Sequence, residues 1–181
     1  AFKNCKALKK ISIPVSVSKL GDSAFENCKV LEEVTFEGSN LREIKYGTFE
    51  NCKSLKEIVL PNSIRTIETY AFLGCSELQN ISLPNALERL EDGSFYACKS
   101  LKKIELPQSI KEIGIDLFEE CSALKEVIMP DGMTSVSMDM FRGCTSLNSI
   151  TLPESITRIG TYAFGDCVSL SEINIPSSVK R

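Results

Sequence analysis

Residues 52–75 read CKSLKEIVLPNSIRTIETYAFLGC, and this stretch recurs with small changes along the whole chain. Its cysteine marks the period, because six of the seven intervals between cysteines are 23 residues long and one is 24. The cysteines are Cys5, Cys28, Cys52, Cys75, Cys98, Cys121, Cys144 and Cys167. A rare residue is not spaced so evenly by chance, so the chain is an internal repeat throughout.

Other residue types keep the same period. Phe lies three residues before every cysteine and Leu three residues after it, as in Phe49, Cys52 and Leu55. The unit reads C-x-S-L-x-x-I-x-L-P-x-S-I-x-x-I-G-x-x-A-F-x-x. We predict one domain over residues 1–181, made of about eight 23-residue units. Because neither end resembles the polar cap of a repeat array, we expect the chain to be a fragment of a longer protein.

The pattern within one unit predicts its local structure. L-x-x-I-x-L ends in apolar residues two apart, the period of a strand with one buried face, and the following Pro ends that strand. I-x-x-I-G predicts a second short extended piece. A-F-x-x-C places Phe and Cys three apart, which favours a single helical turn. Because one such coil cannot bury enough apolar surface alone, the coils must stack, with their strands forming parallel sheets.

The repeat resembles a known family. L-x-x-I-x-L at a period of 20–29 residues is a leucine-rich-repeat signature, and the Pro after the strand together with the closing A-F-x-x-C resembles the BspA-like (Treponema-type) subclass. The resemblance covers essentially the whole chain. It implies a right-handed leucine-rich-repeat superhelix, a repeat solenoid with a parallel β-sheet on the concave face and short helical or extended segments on the convex side.

The same resemblance implies a function. It favours a non-catalytic module that binds a protein ligand, in adhesion or in binding host or matrix proteins, on a protein that is at the cell surface or secreted. A structural spacer that projects another domain, and an intracellular scaffold, remain alternatives. The oligomeric state and the identity of the ligand stay open.

Composition argues against most chemistry. The chain has no His, so the commonest general base and the Ser-His and Cys-His pairs are missing, and we do not expect an enzyme. The cysteines allow three interpretations: disulfides, a metal site, or small buried thiols. Equivalent cysteines on stacked coils run side by side rather than converging, and no C-x-x-C occurs. Buried reduced thiols are therefore the preferred interpretation, and no metal or cofactor is expected.

Charge and hydropathy exclude two kinds of partner. The net charge is −3, and we see no basic stripe with interleaved aromatic residues, so nucleic acid is not an expected partner. Polar residues interrupt every apolar run, so this segment is not expected to insert into a membrane. A partial Lys column follows the cysteine and predicts a solvated edge: Lys6, Lys29, Lys53 and Lys99.

The candidate partner-binding residues lie five and seven positions after each cysteine, on the outward face of the predicted first strand. They vary strongly, whereas the inward columns hardly vary. Val59 and Ile128 are the only apolar residues among those that follow the cysteine by seven. The candidate set is Glu33, Thr35, Glu57, Val59, Asn80, Ser82, Lys103, Glu105, Glu126, Ile128, Ser149 and Thr151. The tyrosines fall elsewhere in the unit, and we predict that they are partly buried on the convex side or the edges.

One unit departs from the pattern. Residues 37–40 replace the Pro turn with Glu-Gly-Ser-Asn and add one residue, which produces the 24-residue interval. We predict a tolerated bulge at the surface.

Overall fold

The computed structural model describes residues 1–38 and 40–180. Short strands recur along the chain in two series, which we call the first and second ladders. The first ladder consists of β1 (Lys10–Ile13), β2 (Glu33–Phe36), β4 (Glu57–Val59), β6 (Asn80–Ser82), β8 (Lys103–Glu105), β10 (Glu126–Ile128), β12 (Ser149–Thr151) and β14 (Glu172–Asn174). The second consists of β3 (Glu43–Ile44), β5 (Thr66–Ile67), β7 (Arg89–Leu90), β9 (Glu112–Ile113), β11 (Ser135–Val136) and β13 (Arg158–Ile159).

Pairing is parallel and keeps the register of the repeat. Ile58 on β4 stands opposite Ile81 on β6, one repeat later. The first ladder pairs β1 with β2, β4 with β6, β8 with β10 and β12 with β14, while β2, β6 and β10 lie against β4, β8 and β12. The second ladder runs β3-β5-β7-β9 and then β11-β13. The chain is therefore a parallel β-solenoid of about seven turns, as stacking of equivalent residues requires.

The segment before each cysteine differs from its prediction. Among residues 1–38 and 40–180 no α-helix occurs, and this segment is a run of turns instead. Alternate N–H groups explain why: those of Tyr70, Phe72 and Gly74 donate to carbonyls of the next coil at 2.8–3.0 Å. Only the residues between them bond within the coil, as Leu73 N donates to the Tyr70 carbonyl at 3.1 Å. An α-helix needs every N–H for its own i−4 carbonyl, so bonding between coils excludes it.

The core is a set of stacked columns. The Phe column is continuous from Phe2 to Phe164, with neighbouring ring centroids 5.3–5.8 Å apart and planes within 17° of parallel. The six interior Phe rings from Phe25 to Phe141 are 0% exposed. The apolar columns predicted to face inward therefore form one linear core.

Close packing between coils explains one glycine column. A Cβ on Gly160 would lie 2.5 Å from the backbone nitrogen of Met138 in the preceding coil. A Cβ on Gly114 would meet the backbone nitrogen of Asp92 at the same distance. Backbone atoms cannot yield as a flexible side chain can, so these positions require glycine for space rather than for a special dihedral angle.

The extra residue of the second unit lies at the surface where it is described. Glu37, Gly38 and Asn40 are exposed, and Gly38 has φ +66°. The Glu37 N–H donates to the carbonyl of Ile13 at 2.9 Å. Ser39, at the centre of the predicted bulge, lies outside the described residues.

Candidate functional site

The outer face of the first ladder carries all twelve candidate residues, and all twelve are exposed. On β4, β8 and β12 they alternate with a buried residue, as Glu57 and Val59 flank the buried Ile58. The alternation follows from the strand period, which sends successive side chains to opposite faces. The structure thus gathers these residues on one surface, although exposure alone does not give them a binding role.

The register brings the candidates of neighbouring coils side by side. Glu57 stands opposite Asn80, and Val59 opposite Ser82. Two coils further on, Lys103 stands opposite Glu126, and the two side chains form an ion pair of 2.7 Å. The hydrogen bond that Lys103 donates to the Glu126 carboxylate raises the pKa of Lys103. Both partners are about half exposed, so the pair adds little to stability.

Charge on this face is therefore partly neutralised within the chain. Lys10 also pairs with Glu33, at 2.6 Å. Among the described residues, Glu57 and Glu105 form no side-chain hydrogen bond and no ion pair. Together with Glu172 on β14, which also has no such partner among the described residues, they are the carboxylates of this face that a partner can meet without breaking an internal pair.

Shallow grooves cross the face where adjacent strands are in contact but not paired. The largest, about 700 Å³, spans β2, β4 and β6 and surrounds Val59. Two others, of about 370 and 400 Å³, lie at the steps from β6 to β8 and from β10 to β12. Val59 is 73% exposed, which makes it the most accessible apolar side chain on the first ladder.

Phe36 lines the largest groove, although its place in the repeat did not predict it. Phe36 belongs to a column predicted to face inward, yet it is only partly buried and lines the groove with Val59. Its equivalents Ile13 and Leu60 are buried. The sequence signal was available, since Phe36 is followed by Glu37 where most units have Pro.

The cysteines form a buried column of thiols. All eight are free, and the six from Cys28 to Cys144 are buried. Each thiol from the second coil onward donates to the carbonyl of the preceding coil's Phe, as Cys75 Sγ does to Phe49 O at 3.1 Å. Burial raises the pKa of Cys52 and of Cys121 to about 12. The predicted burial is confirmed for these six cysteines, and buried thiols with a raised pKa are poor nucleophiles.

In the described part of the chain, no three His, Cys, Asp or Glu side chains are grouped so that they would hold a metal ion. The same residues contain no helix with the length and hydropathy to cross a membrane. Tyr70 and Tyr96 are partly buried, as predicted, whereas Tyr46 and Tyr162 are exposed. All four lie in the turn segments, away from the first ladder.

Parallel strands repeated at this period, over a continuous Phe and Leu core, define the class of leucine-rich-repeat solenoids. The sequence model of the family described as the BspA type leucine rich repeat region matches residues 1–125 and 66–181. The chain belongs to this family.

Solved structures agree. The T. pallidum leucine-rich repeat protein is 31% identical with a TM-score of 0.84, over 91% of this chain and 79% of that one. A Bacteroides ovatus leucine-rich repeat protein is 30% identical with a TM-score of 0.74, over 95% of this chain and 56% of that one. A leucine-rich cell surface protein of Faecalibacterium prausnitzii is 26% identical with a TM-score of 0.57, over 99% of this chain and 70% of that one. No curated protein matches the chain.

Proposed function

We propose that the chain is a non-catalytic protein-binding module that holds its ligand on the outer face of the first ladder. The observation that carries the proposal is the groove around Val59, an exposed apolar side chain bordered by Phe36 and by the unpaired carboxylate of Glu57. A partly apolar centre with a polar rim is the anatomy of a protein interface. The remaining candidates extend the contact surface toward β12.

The wider proposal concerns the setting of this module. Residues 1–181 act as one solenoid domain of about eight units, wound right-handedly with the first ladder on the concave face. The F. prausnitzii relative is a leucine-rich cell surface protein, which supports adhesion or matrix-protein binding by a protein at the cell surface or secreted. An export signal in the full-length gene would support that location, and its absence would favour an intracellular scaffold.

Binding to purified extracellular-matrix glycoproteins, measured by biolayer interferometry, tests the function. We expect one of them to bind the parent chain, with serum albumin as the control. Glu57→Lys and Val59→Lys, separately and together, should weaken that binding at least tenfold, because the first reverses a charge at the groove and the second adds a charge to its apolar centre. Glu154→Lys is the matched control, since Glu154 is exposed in a turn away from the first ladder.

A spacer is the second candidate. The ion pairs Lys10–Glu33 and Lys103–Glu126 neutralise charge on the face without any partner, as a surface that only faces solvent would do. If the groove variants bind like the parent, or the parent binds no matrix protein, the spacer function is favoured.

A further inference from the structure

Charge is strongly segregated around the cross-section of the solenoid. We call the residues one to six positions before each cysteine the turn face. It carries nine acids and two bases: Asp22, Glu26, Glu50, Asp92, Asp116, Glu119, Glu120, Asp139 and Asp166, with Lys3 and Arg142. This one face is therefore far more acidic than the whole chain, whose net charge is −3. The neighbouring edge, one to four positions after each cysteine, carries the balancing lysines.

Three of the four tyrosines gather within the turn face. The rings of Tyr46 and Tyr70 lie 6.1 Å apart in an edge-to-face contact. Gly93 lies between Tyr70 and Tyr96: a Cβ there would lie 2.5 Å from Tyr70 Cε1 and 3.5 Å from the Cβ of Tyr96, so the glycine leaves room for the Tyr70 ring. Leu73 sits one coil before Tyr96 at the same repeat position. We call Tyr46, Tyr70, Leu73 and Tyr96 the tyrosine patch.

The patch is accessible and its hydroxyl groups are unused. Tyr46 is 44% exposed, and the other three side chains are partly exposed. Within residues 1–38 and 40–180, none of the three phenol groups forms a hydrogen bond. Tyrosine in this state is typical of residues that contribute most to protein interfaces.

Carboxylates border the patch at both ends. Glu119 lies beside Tyr96, because the N–H of Ala97 donates to the Glu119 carbonyl at 2.8 Å. Burial is the largest cause that raises the pKa of Tyr96, and the carboxylates of Glu119, Glu120 and Asp116 raise it further. At the other end lie Glu26 and Glu50, of which Glu26 is paired with Lys3 at 2.6 Å. A ligand that covers the rings thus meets negative charge on both sides.

Elsewhere on the turn face, a tyrosine ring bordered by carboxylates already binds an arginine side chain of the chain itself. On the same face, the guanidinium of Arg142 lies 5.7 Å from the ring centroid of Tyr162. It also lies 3.6 Å from carboxylate oxygens of Glu119, Asp139 and Asp166. One arginine side chain therefore contacts a tyrosine ring and several carboxylates at the same time. The tyrosine patch offers the same two kinds of group. Arg142, the one arginine of the turn face, pairs with Glu119 at the Tyr96 end of the patch, but among the described residues its ring contact is with Tyr162.

We propose that the tyrosine patch is a second docking surface, for an extended polypeptide segment that carries arginine side chains. Arginine is favoured over lysine because its planar guanidinium stacks on an aromatic ring and hydrogen-bonds a carboxylate through two N–H groups. An extended segment is favoured because the patch runs along three successive coils, a distance of about 10 Å at the strand spacing.

Two labelled peptides test the proposal by fluorescence anisotropy: Arg-Pro-Pro-Arg-Pro-Pro-Arg, and the same peptide with lysine for arginine. Proline holds both in an extended conformation. We expect the arginine peptide to bind about two- to fivefold more tightly than the lysine peptide, a preference that stacking supplies. Tyr70→Ala with Tyr96→Ala should remove the preference, and Tyr46→Ala, at an exposed ring, should reduce it without disturbing the core.

Tyr162→Ala is the matched control, because Arg142 already covers that ring, and it should leave the preference unchanged. Thermal unfolding of each variant shows that it is folded at the temperature of the assay. Equal affinity for the two peptides, or a preference that survives Tyr46→Ala and the double substitution, would overturn the proposal. Loss of arginine-peptide binding in Val59→Lys would also overturn it, because the peptide would then lie on the first ladder.

Discussion

In this fold, contacts with the neighbouring coil determine which residue type can occupy a given position of the repeat. The thiol of Cys75 is small enough for the core, and its S–H reaches the carbonyl of Phe49. The column of identical residues follows, because each coil presents the same carbonyl to the next. Sequence spacing alone predicted burial of the thiols, but not this hydrogen bond, since the direction of the S–H depends on the turn geometry of the preceding coil.

Thiol accessibility tests the column. Titration of the native chain with a chromogenic disulfide should modify at most the two partly exposed thiols, Cys5 and Cys167, and the six buried ones should react only after unfolding in guanidinium. Cys5→Ser and Cys167→Ser should each remove one native-state equivalent. Rapid reaction of all eight thiols in the native chain would contradict the buried column.

At the scale of the element, the short extended pieces were predictable and the turn segment was not. I-x-x-I-G predicted a second short extended piece, and in the coil of Ile64 and Ile67 that piece is β5 (Thr66–Ile67). The spacing of Phe72 and Cys75 fits a helical turn equally well, but the N–H groups that a helix would use bond to the next coil. Single-coil patterns cannot reveal that competition.

The glycine column provides a test at this scale. Gly160→Ala should lower the free energy of unfolding by about 1–3 kcal/mol, because its Cβ overlaps the backbone of the preceding coil. Gly132→Ala is the matched control, as a Cβ there meets nothing within 4 Å, and we expect a change within about 0.5 kcal/mol. Urea unfolding midpoints measure both. Similar losses in the two variants would contradict the close approach of the coils.

The candidate site could be predicted only in part. Alternation along β4 and β8 places Glu57, Val59 and Lys103 outward, and the structure agrees. The ion pair of Lys103 with Glu126 follows from register, which the repeat also supplies. The groove around Val59 does not follow, because it depends on which strand pairs with which and on the partial exposure of Phe36.

For the whole molecule, stability should depend on pH through the column of thiols. Burial raises the pKa of Cys52 and Cys121 from 9.0 to about 12, and it raises those of Cys75 and Cys98 as well. Between these values the unfolded chain has lost protons that the folded chain keeps. Stability is therefore fully present below about pH 9 and falls above it, by about 1.4 kcal/mol per pH unit for each such thiol.

Urea unfolding at pH 7, 9 and 10 checks this dependence. A Cys52→Ala and Cys121→Ala double variant should be less stable at pH 7, yet its stability should fall less steeply between pH 9 and 10 because two titrating groups are gone. Parallel pH profiles for parent and variant would show that other groups, such as lysines, cause the alkaline loss.

The alternating N–H groups of the turn segments all donate in one direction, from each coil to the one that follows it in sequence. During synthesis a coil therefore leaves the ribosome with three donors whose acceptors have not yet emerged. We therefore expect each coil to become folded only when the next 23-residue repeat has emerged. Nascent chains arrested at successive repeat lengths would show this as protease resistance that stops short of the newest coil.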